Sequence, residues 1–521
     1  MKKYLIISAL ILSSIFVEAQ SYSFVKTIEE NALQVAPGKN GIFYSVSWEP
    51  NCPDDYIVIR YFSKTGDVVN SFKSPPYTGS FNSIHAITNN ENNIVLYLRL
   101  NDINHLIYEF DSTGTLVWNN NLQFTNPVVK YTKLILSPTG YYLLGNTYTT
   151  VWADSSQAVI TKLSTTGIHQ WTKYYRMNNS APASTHFNDM LYLNDSLLCA
   201  GRYYYTGDVA GQAPFRPVIS RLDTSGNVVE SFYYMVDSSF MGFDEYEFIQ
   251  LDKTPSGNFY LVGNNFGNEH ALFKMNSSLN IEWIMEKLSG RSTAMCAGYN
   301  EDVFISPEGE YRNFILQFDP SGQVTGNHVT KNPSSGADFT YGHVTNLKRH
   351  DCGFLFSNNE TIIVHTDKSM TNCLDSSVTG FTNYYPVSSF YRGVASLSSG
   401  NLTSFNEYGM TQVYSAVSST AVTHCSSAFS CNGTAEIENI DKDKTDVFPN
   451  PANEFLFIIL PESLSCTNII LSDINGRIIR NEKISTCGTH RFSLSGLSGG
   501  FYLLKLISID RIVVRKIFID R

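Results

Sequence analysis

Four carboxylates lie close together near the middle of the chain: Asp237, Asp244, Glu245 and Glu247, the last three within Met241-Gly242-Phe243-Asp244-Glu245-Tyr246-Glu247-Phe248. Carboxylates grouped in this way suit two kinds of chemistry. Cleavage of a glycosidic bond uses an acid–base pair about 5–10 Å apart, and a calcium site gathers about six or more oxygens. A solvated acidic loop requires neither, and it is the reading the sequence favours. The eleven histidines are scattered. His85, His105 and His270 fall near strand-like segments and read as polar edge residues rather than ligands. No His-Glu-x-x-His, phosphate loop or Cys-x-x-Cys occurs. The sequence therefore predicts no catalytic residue, no metal ligand and no cofactor.

The elements that would position such residues come from a repeat. An apolar strand, an Asp/Asn-x-x-Gly turn and a second strand often bearing Trp run from Ile107 through Asp111 and Gly114 to Trp118, and recur at Ile160–Trp171, Ile219–Gly226, Phe273–Trp283 and Ile315–Gly322. The turn chemistry is that of a hairpin, with the Asp or Asn side chain bonding the backbone two residues on and Gly supplying positive φ. Upstream of each hairpin lies another strand, as in Ser137-Pro138-Thr139-Gly140-Tyr141-Tyr142-Leu143-Leu144-Gly145. These upstream strands start at Ile42, Ile94, Tyr141, Leu197, Phe259, Val303, Phe354 and Leu402, 44 to 62 residues apart. Four short antiparallel strands per unit at this period predict an all-β chain whose residues 20–435 form a β-propeller. Eight blades are expected, with seven as the alternative and an extended solenoid as a lesser one. Tyr22 to Ile28 would complete the last blade and close the ring.

Composition agrees with short strands: 13% of the 521 residues are aromatic and only 16% are charged. At the N-terminus Lys2 and Lys3 precede an apolar run from Tyr4 to Val17, and Val17-Glu18-Ala19 offers small residues at a peptidase site. Residues 1–19 read as a signal peptide, with Gln20 as the first mature residue. A membrane anchor would need about 20 apolar residues, and no segment reaches that, so no transmembrane segment is expected. The net charge is −10; residues 447–521 carry nine Lys+Arg against six Asp+Glu, and the leader +1, which leaves −14 on residues 20–446. Nucleic acid is an unsuitable partner for a surface of that sign.

A polar linker, residues 436–446, leads into a second, smaller β module over 447–521 that reads as an antiparallel β-sandwich. Cys466 and Cys487 stand nine residues before Asn475 and eleven after Gly476, nearly opposite across a hairpin, and form a candidate disulfide. Cys425 with Cys431 and Cys352 with Cys373 are weaker candidate pairs, and the count of nine leaves one thiol over.

Phe-Pro-Asn-Pro-Ala, then Asp-x-x-Gly-Arg, then Leu-x-x-Gly-x-Tyr-x-Leu-Lys and a basic-apolar last strand resemble the type A C-terminal sorting domain of type IX secretion substrates. The positions that match the pattern are Pro449, Asn450, Pro451, Asp473, Gly476, Arg477, Gly500, Tyr502 and Lys516. The resemblance implies Sec-dependent passage across the inner membrane, recognition by the type IX translocon, and removal of the module by its sorting peptidase. Release, or attachment to surface lipopolysaccharide, would follow. The same residues also have folding roles: prolines fix an extended chain, Gly476 closes a turn and Tyr502 fills a core. The upstream repeat, where Gly-x-x-Tyr-Leu-x-Gly precedes a Lys-Leu-Asp-x-x-Gly hairpin, resembles the repeat β-propellers of secreted bacterial proteins, which implies shape and not activity. The expected function is a noncatalytic glycan- or protein-binding module, secreted or held at the cell surface. The alternative is a carbohydrate-active or other hydrolase or lyase with carboxylates at the propeller mouth.

Overall fold

The computed structural model describes residues 20–520 apart from 29–31, 52–53, 75–76, 79–82, 101–103, 125–127, 149–155, 178–183, 205–214, 237–246, 265–268, 290–291, 308–313, 331–343, 351–352, 359–361, 371–374, 378–389, 395–396, 402–404, 409–414, 417–420, 431–446, 451, 461–466, 474–477, 485–487 and 508–511. The segments read from sequence as signal peptide and linker thus lie outside the described residues. So do Asp237, Asp244, Glu245, Pro451, Gly476, Arg477, Cys352, Cys373, Cys431, Cys466 and Cys487. The chain divides into two compact units, 1–431 and 432–521. Among the described residues there is no helix.

In the first unit four antiparallel strands follow one another in each of six successive sheets, sheets 1 to 6, spanning 32–73, 83–124, 128–177, 185–236, 247–289 and 292–330. Sheet 7 has Val344–His350, Gly353–Asn358 and Ile362–Asp367, with Gln20–Ile28 as its fourth strand. The first strands of the sheets touch in sequence, and that of sheet 7 packs back on that of sheet 1. Each neighbouring pair of sheets encloses its own apolar cluster. Sheets 7 and 1 share Leu355 and Ile363 with Val35, Phe43 and Phe62, and sheets 3 and 4 share Tyr142, Leu144 and Ile160 with Phe187, Leu197 and Val218. Second strands are therefore covered on both faces. Tyr142 and Leu144 point to sheet 4, while Tyr141 and Leu143 point to sheet 2. That is why these strands read as continuous apolar runs rather than as alternation. Burying one such side chain contributes about 1.5–3 kcal/mol.

The hairpin turns behave as their sequence predicts. Asp111 Oδ1 accepts the Thr113 and Thr115 N–H groups, both at 2.9 Å, and Asp223, Asn276 and Asp319 repeat the pattern. Their glycines have a second duty. Gly167 and Gly226, at φ 76° and 75°, lie directly over Trp118 and Trp171 of the preceding sheet. A β-carbon on Gly226 would come within 2.7 Å of the Trp171 ring. The Trp of one unit and the Gly of the next are thus the two halves of one contact between sheets. A buried carboxylate pins sheet 2 to sheet 3: Glu109 accepts from Asn89, Asn93, Trp118 Nε1 and the Tyr141 hydroxyl at 2.6–2.9 Å.

The described sheets of this unit number seven, the lower of the two expected counts. Leu402, expected to begin an eighth unit, lies outside the described residues, and the strands described on either side of it join other sheets. After sheet 7 the chain instead runs back around the outside of the others. Asp375–Ser377 pairs with the fourth strand of sheet 6, Phe390–Val394 with that of sheet 4, Leu397–Asn401 with that of sheet 3, Phe405–Tyr408 with that of sheet 2 and Ser415–Ala416 with that of sheet 1. Ala421–Ser430 then pairs with Gln20–Ile28. Every one of these pairings is antiparallel, and together they give six of the seven sheets a fifth strand. The physical reason is that an outermost strand otherwise exposes a row of unpaired backbone groups. A short strand can satisfy that edge without having a sheet of its own.

In the second unit one sheet holds Val447–Phe448, Phe455–Leu460 and Gly488–Ser493, and another holds Ile478–Ile484, Thr467–Asp473, Gly500–Ile507 and Ile512–Ile519. Leu456, Ile458 and Phe492 from the first meet Ile469, Leu471, Leu504, Leu506, Ile517 and Ile519 from the second in one buried core.

Candidate functional site

The first strands of all seven sheets converge on a cavity of about 450 Å³. What shapes it is a local irregularity that recurs. In six of the seven first strands the pairing skips one residue: Leu33, Thr132, Asn188, Ile249, Thr293 and Thr345. A bulge of this kind turns the following side chain out of its normal alternation. Gln34, Lys133, Asp189, Gln250 and Asn346, each one residue past a bulge, line the cavity. A Gly of the second strand sits opposite the bulge: Gly145 pairs with Tyr131, Gly201 with Phe187 and Gly263 with Phe248. A β-carbon on Gly145 would collide with the Lys130 carbonyl, and one on Gly201 with the His186 carbonyl. Those glycines leave the room that the bulge requires.

Among the described residues, the charged groups of the lining form two tied pairs and one cation without a pair. Asp189 accepts an ion pair from Lys133 of sheet 3 and the N–H groups of Met190 (2.7 Å) and of Leu251 in sheet 5 (2.9 Å). Asp252 lies 3.6 Å from Arg349 of sheet 7 and accepts the N–H groups of Lys253 and of Ala297 in sheet 6, both at 2.8 Å. Arg349 also donates to the Lys253 carbonyl at 3.0 Å, so it spans sheet 6 to reach sheet 5. Lys348 makes no hydrogen bond or ion pair among the described residues and projects into the water of the channel. Enclosure by protein and the nearby Lys133 ammonium lower its pKa, while Asp189, Asp252 and the Cys296 thiol oppose that. His85 completes the ring of ionisable groups. Burial, with Lys133 as the next cause, pushes its pKa down to about 4, so the imidazole is neutral at ordinary pH. Burial also drives the Cys296 thiol well above its usual pKa, which leaves it a poor nucleophile.

Of the carboxylates singled out in the sequence, Glu247 is described. It pairs with Arg202 of sheet 4 at 2.9 Å and is not among the residues lining the cavity. The histidines depart from the edge reading. His105 and His270 are fully buried. The Tyr97 hydroxyl meets His105 Nδ1 at 2.8 Å, and burial pushes the His105 pKa down to about 3. His85 faces the channel. Sequence reasoning missed Lys133, Asp189, Asp252, Lys348 and Arg349 because no motif joins them. The available signal was indirect: a Gly closing the second strand marks the bulge, and a polar residue in the strand before it marks the lining. Among the described residues no group of His, Cys, Asp and Glu could hold a metal ion, and no helix is long and apolar enough to cross a membrane.

In the second unit the sorting-motif residues have defined work. The Asn450 side chain donates to the Lys516 carbonyl at 2.9 Å and accepts the Phe518 N–H at 2.8 Å, so its amide pairs with the last strand as a backbone unit would. Ala452 continues that pairing: its N–H bonds the Phe518 carbonyl, and its carbonyl accepts the Asp520 N–H. Pro449, exposed, precedes this stitch. Tyr502, buried, donates to the Ser498 carbonyl at 3.0 Å and stands opposite Asp473 in the register. Gly500 sits at φ 146°. The Lys516 ammonium lies 4.0 Å above the half-exposed Phe501 ring.

Residues 446–520 match the family of secretion system C-terminal sorting domains. This sorting domain indicates export to the cell surface or beyond it and supports the type IX resemblance of the sequence motif. Comparison of the sequence with characterised proteins returned no match. Solved structures similar in fold are β-propeller proteins. BamB from Moraxella catarrhalis is 13% identical over 66% of this chain and 97% of its own, with a TM-score of 0.30. The WD40 domain of Toxoplasma gondii coronin is 9% identical over 68% and 89%, with a TM-score of 0.37. An ulvan lyase, a polysaccharide lyase bound to an oligosaccharide, is 11% identical over 69% and 98%, with a TM-score of 0.42. These are likenesses of fold.

Proposed function

We propose that this exported protein is a noncatalytic binding protein, its first unit a seven-bladed ring that receives a glycan or protein segment in the axial channel. Its second unit is a small β-sandwich serving as a detachable address. The observation that supports the binding role is the recurring bulge, which re-aims polar side chains from successive first strands into one cavity of about 450 Å³. Cavities of about 300–1,000 Å³ suit small ligands or the end of a larger one.

Asp189 and Asp252 are held differently from the carboxyl pair of a glycoside hydrolase. Cleavage with two carboxyl groups needs one of them protonated and aimed at the leaving oxygen. Both channel carboxylates instead accept two backbone N–H groups each and a cation. Those bonds commit their lone pairs to the fold. Glu247 lies in an ion pair between sheets.

The binding reading is tested by probing glycan and peptide arrays with the mature exported protein and with Gln34→Trp, whose ring would fill the channel. Binding that the substitution abolishes, with the ligand recovered uncut, is expected. Ligand recovered as cleaved product, or binding indifferent to the substitution, would overturn it. Export is tested by deleting residues 447–521, after which the ring should accumulate in the periplasm and leave the medium and cell surface empty.

A further inference from the structure

Across the channel lining the described charges are Lys133, Lys348 and Arg349 against Asp189 and Asp252. Two cations are neutralised by the two carboxylates, and the geometry points to Lys348 as the anchor for an anionic group, a carboxylate or sulfate carried on a ligand of monosaccharide size. This rests on the channel being the binding site and assigns the class of ligand it takes.

Three observations carry the inference. Each channel carboxylate is already occupied by one cation and two N–H groups, so neither is left to neutralise Lys348 at close range. The Lys348 side chain is exposed and lines the cavity, and none of its three N–H donors has a partner among the described residues. The lining also includes the Gln250 amide and the exposed Thr132, whose hydroxyl donates to the Leu144 carbonyl at 3.4 Å and keeps its oxygen as an acceptor for a sugar hydroxyl. Residues 20–446 carry −14 overall, yet surface charge is screened within about 8 Å at physiological salt. Inside the channel the local excess of positive charge governs.

The anion is distinguished from a neutral ligand by titrating the mature exported protein with sodium sulfate, sodium glucuronate and glucose in a chloride-free buffer, following heat of binding. Glucuronate or sulfate should bind saturably, and glucose more weakly than glucuronate. Lys348→Met should weaken anion binding by about 10- to 100-fold, the range for a hydrogen bond to a charged group. Lys348→Arg should largely restore it, and Lys64→Met, at an exposed turn, should leave it unchanged. Binding of the anions by Lys348→Met at the wild-type level, or no saturable binding of either anion, would overturn the inference. A neutral array ligand that Gln34→Trp abolishes and Lys348→Met spares, with neither anion binding, would leave the channel reading standing and remove this one.

Discussion

Each sheet of the ring has two edges, and they are finished by different means. At the inner edge side chains do the work. Asn146 bonds the backbone of Phe187 in the next sheet through both ends of its amide, Asp189 reaches Leu251, and Asp252 reaches Ala297. At the outer edge the backbone does it, through short added strands with no common sequence. Side-chain bonds across sheets demand particular residues at particular positions, so the inner edge can encode a ligand. Backbone pairing accepts almost any side chain, so the outer edge can encode only closure.

The largest effect that would sharpen this contrast is on acid stability. His85, His186 and His350 lie on first strands and His105 on a third strand, and burial pushes their pKa values down to about 4, 4, 3 and 3 respectively. In the unfolded chain they titrate near 6.5. Below that pH the unfolded state takes up protons that the folded state refuses, until the folded values are reached. Stability is therefore full above about pH 6.5 and falls by about 1.4 kcal/mol per pH unit for each histidine down to about pH 4. Denaturant melts at a series of pH values should show this slope, and His350→Gln should reduce it. A melt unchanged between neutrality and pH 4 would mean that these histidines are not held neutral.

Next in size is Gly201→Ala, which places a β-carbon against the His186 carbonyl at the bulge of sheet 4. A cost of about 1–3 kcal/mol is expected for the forced shift. Ligand binding should weaken as well, because Asn188 and Asp189 are aimed by that bulge. Smaller again is Ser399→Pro with Gly400→Pro on the outer strand of sheet 3. Neighbouring residues of a strand direct their N–H groups to opposite sides, so one of the two substitutions must remove a bond to the fourth strand. About 0.5–1.5 kcal/mol is expected, read as a lower melting temperature with affinity unchanged.

The middle of each sheet was legible in the sequence, and its two edges were not. Hairpins were readable because Asp111 or Asp223 closes its own turn with residues two and four further on, which is local chemistry. The repeat period was readable for the same reason. The pairing of Trp171 with Gly226 was not, since each is intelligible alone as strand former and turn former, and only packing of one sheet on the next joins them. The closing role of Gln20–Ile28 followed from counting strands. The sheets joined by Leu397–Asn401 and Ser415–Ala416 were not readable, because nothing local tells a strand which sheet it will join. The channel was the least legible part. Lys133, Asp189, Asp252 and Lys348 come from four sheets and share no spacing. In the second unit the sorting motif was readable from its residues, while the reason for Asn450, an amide pairing with the last strand, needed the structure.

The most direct test of the division between the edges measures melting temperature and ligand affinity side by side in two variants of the mature exported protein, Gln34→Trp in the channel and the Ser399→Pro, Gly400→Pro pair outside. The account predicts that Gln34→Trp loses affinity by at least about tenfold, or 1.4 kcal/mol, with its melting temperature unchanged, and that the proline pair lowers the melting temperature and keeps affinity. Full affinity in Gln34→Trp, or lost affinity in the folded proline pair, would contradict it.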